Sequence, residues 1–299
     1  MKNDIIYYIS MLLINLFNSL PRNIALMLAG FLGEIWFLLN TKDRKIAESQ
    51  MAFALGITGK KLKVNAQACF ISMMKNLVDA IRMRYWSKKY IGSIVDVDGL
   101  EHFDHAYSQN KGVIVLTGHI GNFELLAAWF SYFMGYKVSV IGRELYDKRF
   151  DRMLVSQRRR FNLNNIPTTS SVKTIMKALN DGHALGVLLD QDSTKVAGYF
   201  IDFFGKKANT AAAPMFIAYK TGSPIVPMAI YRKNDDRYYI KIMPPLRINW
   251  TDDKEENIKN ALEKCNLALE ELIKQDPTQW TWIHNRWRTR PPQERSITT

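Results

Sequence analysis

The stretch GVIVLTGHIGNFELLAAWF, residues 112–130, decides the fold. Its first part, residues 113–116, is a mostly β-branched apolar run that predicts a buried strand, and the apolar spacing of residues 123–130 predicts a helix. Two glycines punctuate the turn between strand and helix. His119 is therefore predicted at the carboxyl end of a strand, where open α/β sheets bind their ligands.

Glu124 follows His119 by five positions and is predicted in the first turn of the helix. A carboxylate there is favoured by the helix dipole and could accept a hydrogen bond from one imidazole nitrogen. The other nitrogen would then be free to act as a base. The alternative interpretation is a turn histidine that only caps the sheet.

Strand-like and helical segments alternate along the chain. The strand-like runs are residues 94–97, 113–116, 137–141, 184–189, 225–231 and 238–243. Helices are expected near residues 43–58, 60–86, 122–134, 146–161, 171–181, 208–221 and 254–275. This alternation predicts an α/β fold with a mixed, largely parallel central sheet flanked by helices.

The N-terminus is apolar and almost uncharged over residues 5–20 and 23–40. Each segment would reach roughly 24–27 Å as a helix, a little short of the roughly 30 Å hydrocarbon core of a bilayer. A secretory signal is the alternative, but no small-residue cleavage site ends the first segment. We therefore expect residues 1–40 to be a membrane-embedded segment and residues 41–299 to be the catalytic domain. Basic residues directly after position 40 predict that this domain is cytoplasmic.

The chain has 299 residues and a formal net charge of +13, which predicts acidic partners. Anionic lipid, a phosphorylated substrate, an acidic protein and nucleic acid all remain open on charge alone. Cys69 and Cys265 are too few for a disulfide scaffold or a zinc ribbon. Both lie in apolar helical patterns, so we expect buried, inert thiols.

Further polar residues follow the predicted strands. Arg143 comes after the run at residues 137–141, and its guanidinium could hold a phosphate or the charge of a tetrahedral intermediate. A salt bridge to a neighbouring carboxylate is the alternative. Asp190 and Asp192 follow another strand, and no P-loop accompanies them. We interpret this pair as structural or acceptor-positioning groups and not as metal ligands.

Two later stretches combine aromatic and basic residues. Lys206 and Lys207 precede a helix predicted to begin at Thr210, and a helix N-terminus beside two lysines suits a phosphate. A plain surface loop is the alternative. The segment at residues 279–291, QWTWIHNRWRTRP, includes Arg286 among tryptophans. No RNA-binding or DNA-binding motif accompanies it, so interfacial anchoring or packing against the catalytic edge is favoured over nucleic-acid stacking.

Four of these stretches resemble one family. HIGNFE at residues 119–124 resembles the H-x4-D/E motif of the lysophospholipid acyltransferase superfamily, and its form with Glu resembles the late (lauroyl/myristoyl) acyltransferases of lipid A biosynthesis. GRE at residues 142–144, DQD at residues 190–192 and the segment at residues 279–291 resemble the family's Arg motif, D-x-D motif and C-terminal signature. Trp287 stands where Phe is usual.

The resemblance implies a mechanism in which His119 is the general base on an acceptor hydroxyl and Glu124 fixes its tautomer. The hydroxyl would attack the acyl thioester directly, without an acyl-enzyme. The residues expected to bind substrate or the oxyanion are Asn122, Arg143, Asp190, Asp192, Lys206, Lys207 and Arg286. No metal and no protein-bound cofactor are expected, since the acyl donor carries its own phosphopantetheine.

The partners implied by the resemblance are an acyl-carrier protein, an anionic lipid acceptor of lipid A (lipopolysaccharide) biosynthesis and the bacterial inner membrane, with the catalytic domain on the cytoplasmic face. Nucleic acid is not among them. Another phospholipid, glycolipid or aminolipid acceptor stays open, as does a non-catalytic basic protein that binds membranes or nucleic acid. Acyl chain length, the acylated position and coenzyme A as an alternative donor are also open.

Overall fold

A computed structural model of the chain describes residues 2–192 and 196–295. Its helices are α1 (Lys2–Ser19), α2 (Arg22–Leu39), α3 (Thr41–Leu55), α4 (Gly59–Arg82), α5 (Lys88–Ile94), α6 (Leu100–Tyr107), α7 (Phe123–Ala128), α8 (Lys148–Arg160), α9 (Val172–Asn180), α10 (Ala213–Thr221), α11 (Lys254–Gln275) and α12 (Pro292–Arg295). Its strands are β1 (Val95–Asp98), β2 (Val113–Thr117), β3 (Val138–Gly142), β4 (Leu163–Pro167), β5 (Ala184–Leu188), β6 (Gly198–Phe203), β7 (Lys206–Ala211), β8 (Ile225–Arg232) and β9 (Tyr238–Ile242). A π-helical turn, Trp129–Met134, extends α7.

Seven of these strands form one sheet in the order β1-β9-β8-β2-β5-β3-β4. Every neighbouring pair is parallel except β8 with β9. All five residues of the central strand β2 are buried, as expected for a parallel strand covered on both faces. The predicted α/β class with a mixed, largely parallel sheet is confirmed.

All six predicted strands are present, but three others were missed. β4 has the sequence LNNIP, whose two asparagines and proline are unfavourable in a central strand. It pairs only with β3, at the edge of the sheet, where such residues are tolerated. The other two missed strands, β6 and β7, form a separate antiparallel hairpin.

The prediction that a helix begins at Thr210 is wrong. Thr210 lies in β7, opposite Tyr199 of β6, and α10 begins at Ala213. The hairpin turns through Phe204 and Gly205, whose φ angles of 51° and 72° are both positive. This is the backbone of a type I′ turn, which matches the twist of two paired strands.

The N-terminal helix α2 packs along α4. At their closest approach a Cβ atom on Gly33 would lie 2.6 Å from the Cα of Ile71, so only glycine fits there. Within the described residues, α2 is the one helix long and apolar enough to cross a membrane, judged by length and composition. One face of α2 thus contacts the domain, while its other face leaves residues such as Met27 and Phe31 exposed.

A buried charge cluster ties the start of α2 to the sheet. The Asp79 side chain on α4 is completely buried and pairs with Arg22 at 2.7 Å and with Arg232 at 2.8 Å. The Tyr238 hydroxyl also donates a hydrogen bond to Asp79, at 2.7 Å. The boundary expected at residue 40 therefore does not coincide with a gap in the packing, although membrane embedding of residues 1–40 stays a prediction.

Candidate active site

The turn between β2 and α7 holds His119 at the carboxyl edge of the sheet, as the sequence predicts. Gly121 has a φ of 58°, and a Cβ there would lie 1.9 Å from the carbonyl oxygen of Ile230, so the turn requires glycine. Asn122 then caps α7, its side-chain oxygen accepting from the backbone N–H of Leu125 at 3.1 Å. Asn122 is almost fully buried, which makes it a support of the turn.

The C-terminal segment fixes the same turn from the other side. The carbonyl of Gln279 accepts from the N–H of Gly121 at 2.9 Å. The carbonyl of His119 accepts from the N–H and the hydroxyl of Thr281, at 3.2 and 3.1 Å. These bonds confirm that residues 279–291 pack against the catalytic edge, and they hold the histidine backbone in place.

Asp190 is the hydrogen-bond partner of His119. Its Oδ1 lies 2.9 Å from Nδ1 of the imidazole, and its Oδ2 accepts from the backbone N–H of His119 at 2.7 Å. The indole N–H of Trp280 also donates to Oδ2, at 2.7 Å. The Asp190 side chain is 1% exposed while that of His119 is 24% exposed, so the pair presents its imidazole to the outside.

The electrostatics of this pair define the tautomer of His119. Burial would raise the pKa of Asp190, but the charge of His119 and three hydrogen bonds hold it at about 2. Burial would lower the pKa of His119, yet the charge and hydrogen bond of Asp190 and the charge of Glu124 raise it. An ionised carboxylate can only accept, so Nδ1 of the neutral ring carries the proton. Nε2 is then unprotonated and able to take a proton from a hydroxyl.

Glu124 does not make the hydrogen bond that the sequence predicts. Its two carboxylate oxygens accept from Nε and Nη2 of Arg158, which lies in the last turn of α8, and Asp190 occupies the imidazole Nδ1 instead. The reason is geometric, since the first turn of α7 carries Glu124 towards α8 and a bidentate guanidinium is a strong partner there. Glu124 therefore acts on His119 through its charge.

Arg143 emerges after β3 on the same edge as His119, as predicted. Two carboxylates close to it in sequence have other partners, because Glu144 pairs with Lys148 and Asp147 with Arg149. Within residues 2–192 and 196–295, no ion pair involves the Arg143 guanidinium. It lines a polar cavity of about 380 Å³ together with two arginines of α8, Arg158 and Arg159.

Asp192 and Arg286, both expected near substrate, are buried structural groups. The Asp192 carboxylate accepts from the N–H and the hydroxyl of Thr289, at 3.2 and 2.7 Å. Arg286 is completely buried and donates to the carbonyl of Asn209 and the hydroxyl of Thr210. Burial lowers its pKa to about 10, so it stays charged at neutral pH. Arg286 thus supports β7, and direct contact of this residue with substrate stays a prediction.

Lys206 and Lys207 lie in β7 and not beside a helix N-terminus. The Lys207 ammonium pairs with Asp202 on the neighbouring strand at 3.0 Å, and the Lys206 ammonium lies 5.4 Å from the ring centre of Phe53. None of these contacts brings either lysine to His119. A phosphate contact by this pair stays a prediction, without the helix that was expected to assist it.

A large apolar cavity begins at the residues that follow His119. Its volume is about 970 Å³, at the upper end of the roughly 300–1,000 Å³ of ligand pockets. Asn122 and Glu124 line one part of it, and its walls come from α1, α4 and α8. An acyl chain is the kind of ligand that such a cavity, lined mainly by aliphatic and aromatic side chains, can hold.

Neither thiol of the chain is a nucleophile in this site. Cys69 and Cys265 are fully buried, which confirms the prediction of inert thiols, and burial raises the pKa of Cys69 to about 12. The Nε2 lone pair of His119 is a base that this site can offer. A base of this kind activates a hydroxyl from outside the protein.

Sequence reasoning missed the partnership of Asp190 with His119 and that of Arg158 with Glu124. The first had a partial signal, because Asp190 follows a predicted strand and was therefore expected at the same edge of the sheet as His119. That this strand is the direct neighbour of β2 is visible only in the structure. The partnership of Arg158 with Glu124 had no signal in the sequence. Arg158 is one of three consecutive arginines at the end of α8, and nothing in the sequence distinguishes it from the other two.

Comparison with known proteins agrees with this site. The family model described as bacterial lipid A biosynthesis acyltransferase matches residues 2–289. The chain is 27% identical over 226 residues to the lipid A biosynthesis lauroyltransferase of Escherichia coli K12, covering 74% of this chain and 71% of the relative. It is 26% identical over 236 residues to the lipid A biosynthesis palmitoleoyltransferase of the same strain, covering 76% and 72%.

A more distant similarity is to the phosphatidylinositol mannoside acyltransferase of Mycolicibacterium smegmatis, 20% identical over 217 residues, covering 68% of this chain and 69% of the relative. The fold and the site thus define an O-acyltransferase. The chain belongs to the bacterial lipid A biosynthesis acyltransferase family.

Proposed function

We propose that the protein moves a fatty acyl chain from the thioester of an acyl-carrier protein to a hydroxyl of a lipid A precursor. One observation carries this proposal: the buried Asp190 holds Nδ1 of His119, which leaves Nε2 as the base, and the lining of the apolar cavity begins two residues further on, at Gly121. Membership of the family supports the acceptor class. The thioester donor supplies its own phosphopantetheine, so the mechanism requires no protein-bound cofactor.

In this mechanism Nε2 of His119 removes the proton of the acceptor hydroxyl while the hydroxyl oxygen attacks the thioester carbonyl. The negative charge of Asp190 stabilises the imidazolium that forms. The tetrahedral intermediate then collapses, the C–S bond breaks, and the thiolate takes the proton from the imidazolium. A thiol has a pKa of about 8.5 and leaves readily, so the main barrier is formation of the alkoxide and the oxyanion.

We assign the polar cavity beside Arg158 to an anionic group of a substrate. Arg143 and Arg159 both line it, and a planar guanidinium can grip two oxygens of a phosphate at once. The phosphate of a lipid acceptor and the phosphodiester of phosphopantetheine share this chemistry. Lys206 and Lys207 remain a second predicted contact for phosphate.

We place the catalytic domain on the cytoplasmic face of the inner membrane. The exposed apolar residues of α1 and α2 are suited to lipid, and they include Ile9, Leu12, Met27 and Phe31. Basic residues at positions 42, 44 and 45 directly follow α2, which is the charge bias of a cytoplasmic flank.

The decisive experiment supplies the purified protein, in detergent, with labelled acyl groups on acyl-carrier protein or on coenzyme A. A phosphorylated lipid A precursor, a mannosylated phospholipid and a lysoglycerophospholipid are offered as acceptors, and mass spectrometry measures the products. We expect the lipid A precursor to gain one acyl mass from the carrier-protein donor. Transfer only to another acceptor would overturn the acceptor assignment.

His119→Ala is the matched test of catalysis, with His105→Ala as its control because His105 is exposed on α6. We expect loss of transfer in the first variant alone. Full activity of His119→Ala would overturn His119 as the base. Absence of transfer by the wild type as well would support the non-catalytic alternative, a basic protein that only binds membranes. Mass spectrometry of lipid A from cells with and without the protein then locates the acylated position.

A further inference from the structure

Helix α1 forms one whole wall of the apolar cavity. Its residues Tyr7, Ser10, Ile14 and Phe17 line the cavity and recur at intervals of three and four, which places them on one face of the helix. The opposite face also carries apolar residues. One face of α1 therefore lines the cavity, whereas the opposite face is available to contact lipid.

The two ends of the cavity differ in character. At one end lie Asn122 and Glu124, three and five residues after the catalytic histidine. At the other end lies Tyr7, with its ring centre 5.3 Å from that of Phe150 and 4.1 Å from the guanidinium carbon of Arg149.

Charged groups lie beside Tyr7. Arg149 forms salt bridges with Asp4 of α1 at 2.9 Å and with Asp147 at 2.6 Å, which attaches the start of α1 to the start of α8. A chain that passed Tyr7 would meet these solvent-exposed charged groups in place of apolar side chains. Tyr7 therefore stands at the end of the cavity remote from the catalytic turn.

The length of the cavity can be read from the helices beside it. The ten residue steps from Tyr7 to Phe17 rise roughly 15 Å along α1, and the eight steps from Phe150 to Arg158 rise roughly 12 Å along α8. A bilayer core of roughly 30 Å is two acyl layers thick, so one fatty acyl chain takes about 15 Å. The cavity thus fits one extended acyl chain between the catalytic turn and Tyr7.

We infer that α1 sets the acyl chain length of the transferred group, with Tyr7 as the stop at the end remote from His119 and Ile14 as a side wall. This inference rests on the proposed function and adds to it the residues that select the donor. The transferred chain is the occupant because its carbonyl has to reach His119 while its tail extends away from the turn, which is the direction in which the cavity runs.

The test is a competition in which the protein receives an equimolar series of saturated acyl-carrier thioesters of graded length, with the products read by mass spectrometry. Tyr7→Ala removes the stop, so the preferred length should increase. Ile14→Trp and Met153→Trp, which narrow the cavity from α1 and from α8, should shift the preference to shorter chains. A buried methylene changes binding about fourfold, so two methylenes should change the ratio of products on the order of tenfold.

The controls are Tyr8→Ala and Leu12→Trp, the same exchanges on the outer face of α1, where Tyr8 is 68% and Leu12 70% exposed. Both should keep the wild-type profile. An unchanged profile in Tyr7→Ala and in both tryptophan variants, with transfer intact, would overturn the inference but not the proposed function. An altered KM for the acceptor with a constant donor profile would also overturn it, because the cavity would then hold an acceptor chain. Absence of any transfer by the wild type would instead contradict the proposed function.

Discussion

Glu124 and Arg158 form a two-pronged ion pair that stands between the two cavities of the site. Nε of Arg158 lies 3.2 Å from Oε2 of Glu124, Nη2 donates to Oε1, and the two side chains are only 15% and 11% exposed. Glu124 lines the apolar cavity and Arg158 the polar one. The ion pair fixes the position of the carboxylate, and the charge of the carboxylate in turn raises the pKa of His119.

The pH dependence of the chemical step follows from that charge. A base must be neutral, and the pKa of His119 is raised above 6.5, so the rate should increase with pH to a plateau with a midpoint above 6.5. Glu124→Gln removes a nearby negative charge, which destabilises the imidazolium and should move the midpoint to lower pH. Single-turnover rates across the pH range measure this.

Glu144→Gln is the matched control for that shift, since Glu144 pairs with exposed Lys148 and does not contact the catalytic turn. Its profile should coincide with that of the wild type. If the midpoint of the pH profile does not change in Glu124→Gln, the charge of Glu124 does not affect the pKa of His119.

Arg143 should contribute to capture of an anionic substrate. Loss of a hydrogen bond to a charged group costs roughly 10- to 100-fold in binding, so Arg143→Glu should lower kcat/KM by at least about that factor. Arg143→Lys should recover only part of the loss, because an ammonium does not reproduce the planar fork. Separate KM values for donor and acceptor show which substrate carries the anion.

Lys173→Glu makes the same charge change on exposed α9 and should reproduce only the general effect of net charge. The double change Lys206→Glu with Lys207→Glu tests the other predicted phosphate contact. If Arg143→Glu behaves like Lys173→Glu, the polar cavity does not bind substrate.

The buried Asp79 cluster should stabilise the attachment of α2 to the sheet. Asp79→Ala leaves Arg232, whose side chain is 6% exposed, and Arg22 without their shared carboxylate. Breaking a buried pair in this way costs roughly 3–5 kcal/mol, so the free energy of unfolding in detergent should fall by about that amount. Glu263→Ala, an exposed change on α11, should be nearly neutral, and an equal effect of both variants would contradict the role of the cluster.

The sequence predicts the sheet well because its strands are regular apolar runs. β2 and β8 could be recognised locally, since almost every residue in them is buried. β4 could not, because its two asparagines are tolerated only through its position at the sheet edge. The hairpin of β6 and β7 was missed because the residues after Thr210 look like a helix start, although the dipeptide at residues 204 and 205 forms the turn.

The sequence predicts where the site lies in the fold, but it does not predict which carboxylate bonds to His119. His119 and Arg143 lie at the expected edge because each follows a strand directly. Glu124 was chosen as the partner of His119 because it is near in sequence, whereas the actual partner, Asp190, is 71 residues away. Contacts across neighbouring parallel strands depend on strand order, which local patterns do not contain.

The central claim is that Asp190 sets the tautomer in which His119 acts as the base, and Asp190→Asn tests it most directly. In this variant the side-chain amide oxygen of Asn should accept from the backbone N–H of His119 and the indole N–H of Trp280. The amide NH₂ group then faces Nδ1 of the His119 ring. Nδ1 must then accept, and the proton moves to Nε2. The measurement is the single-turnover rate of acyl transfer on the pH plateau. We predict a loss of about 10²–10⁴-fold, close to that of His119→Ala, in a folded protein. A wild-type rate in Asp190→Asn would contradict the account.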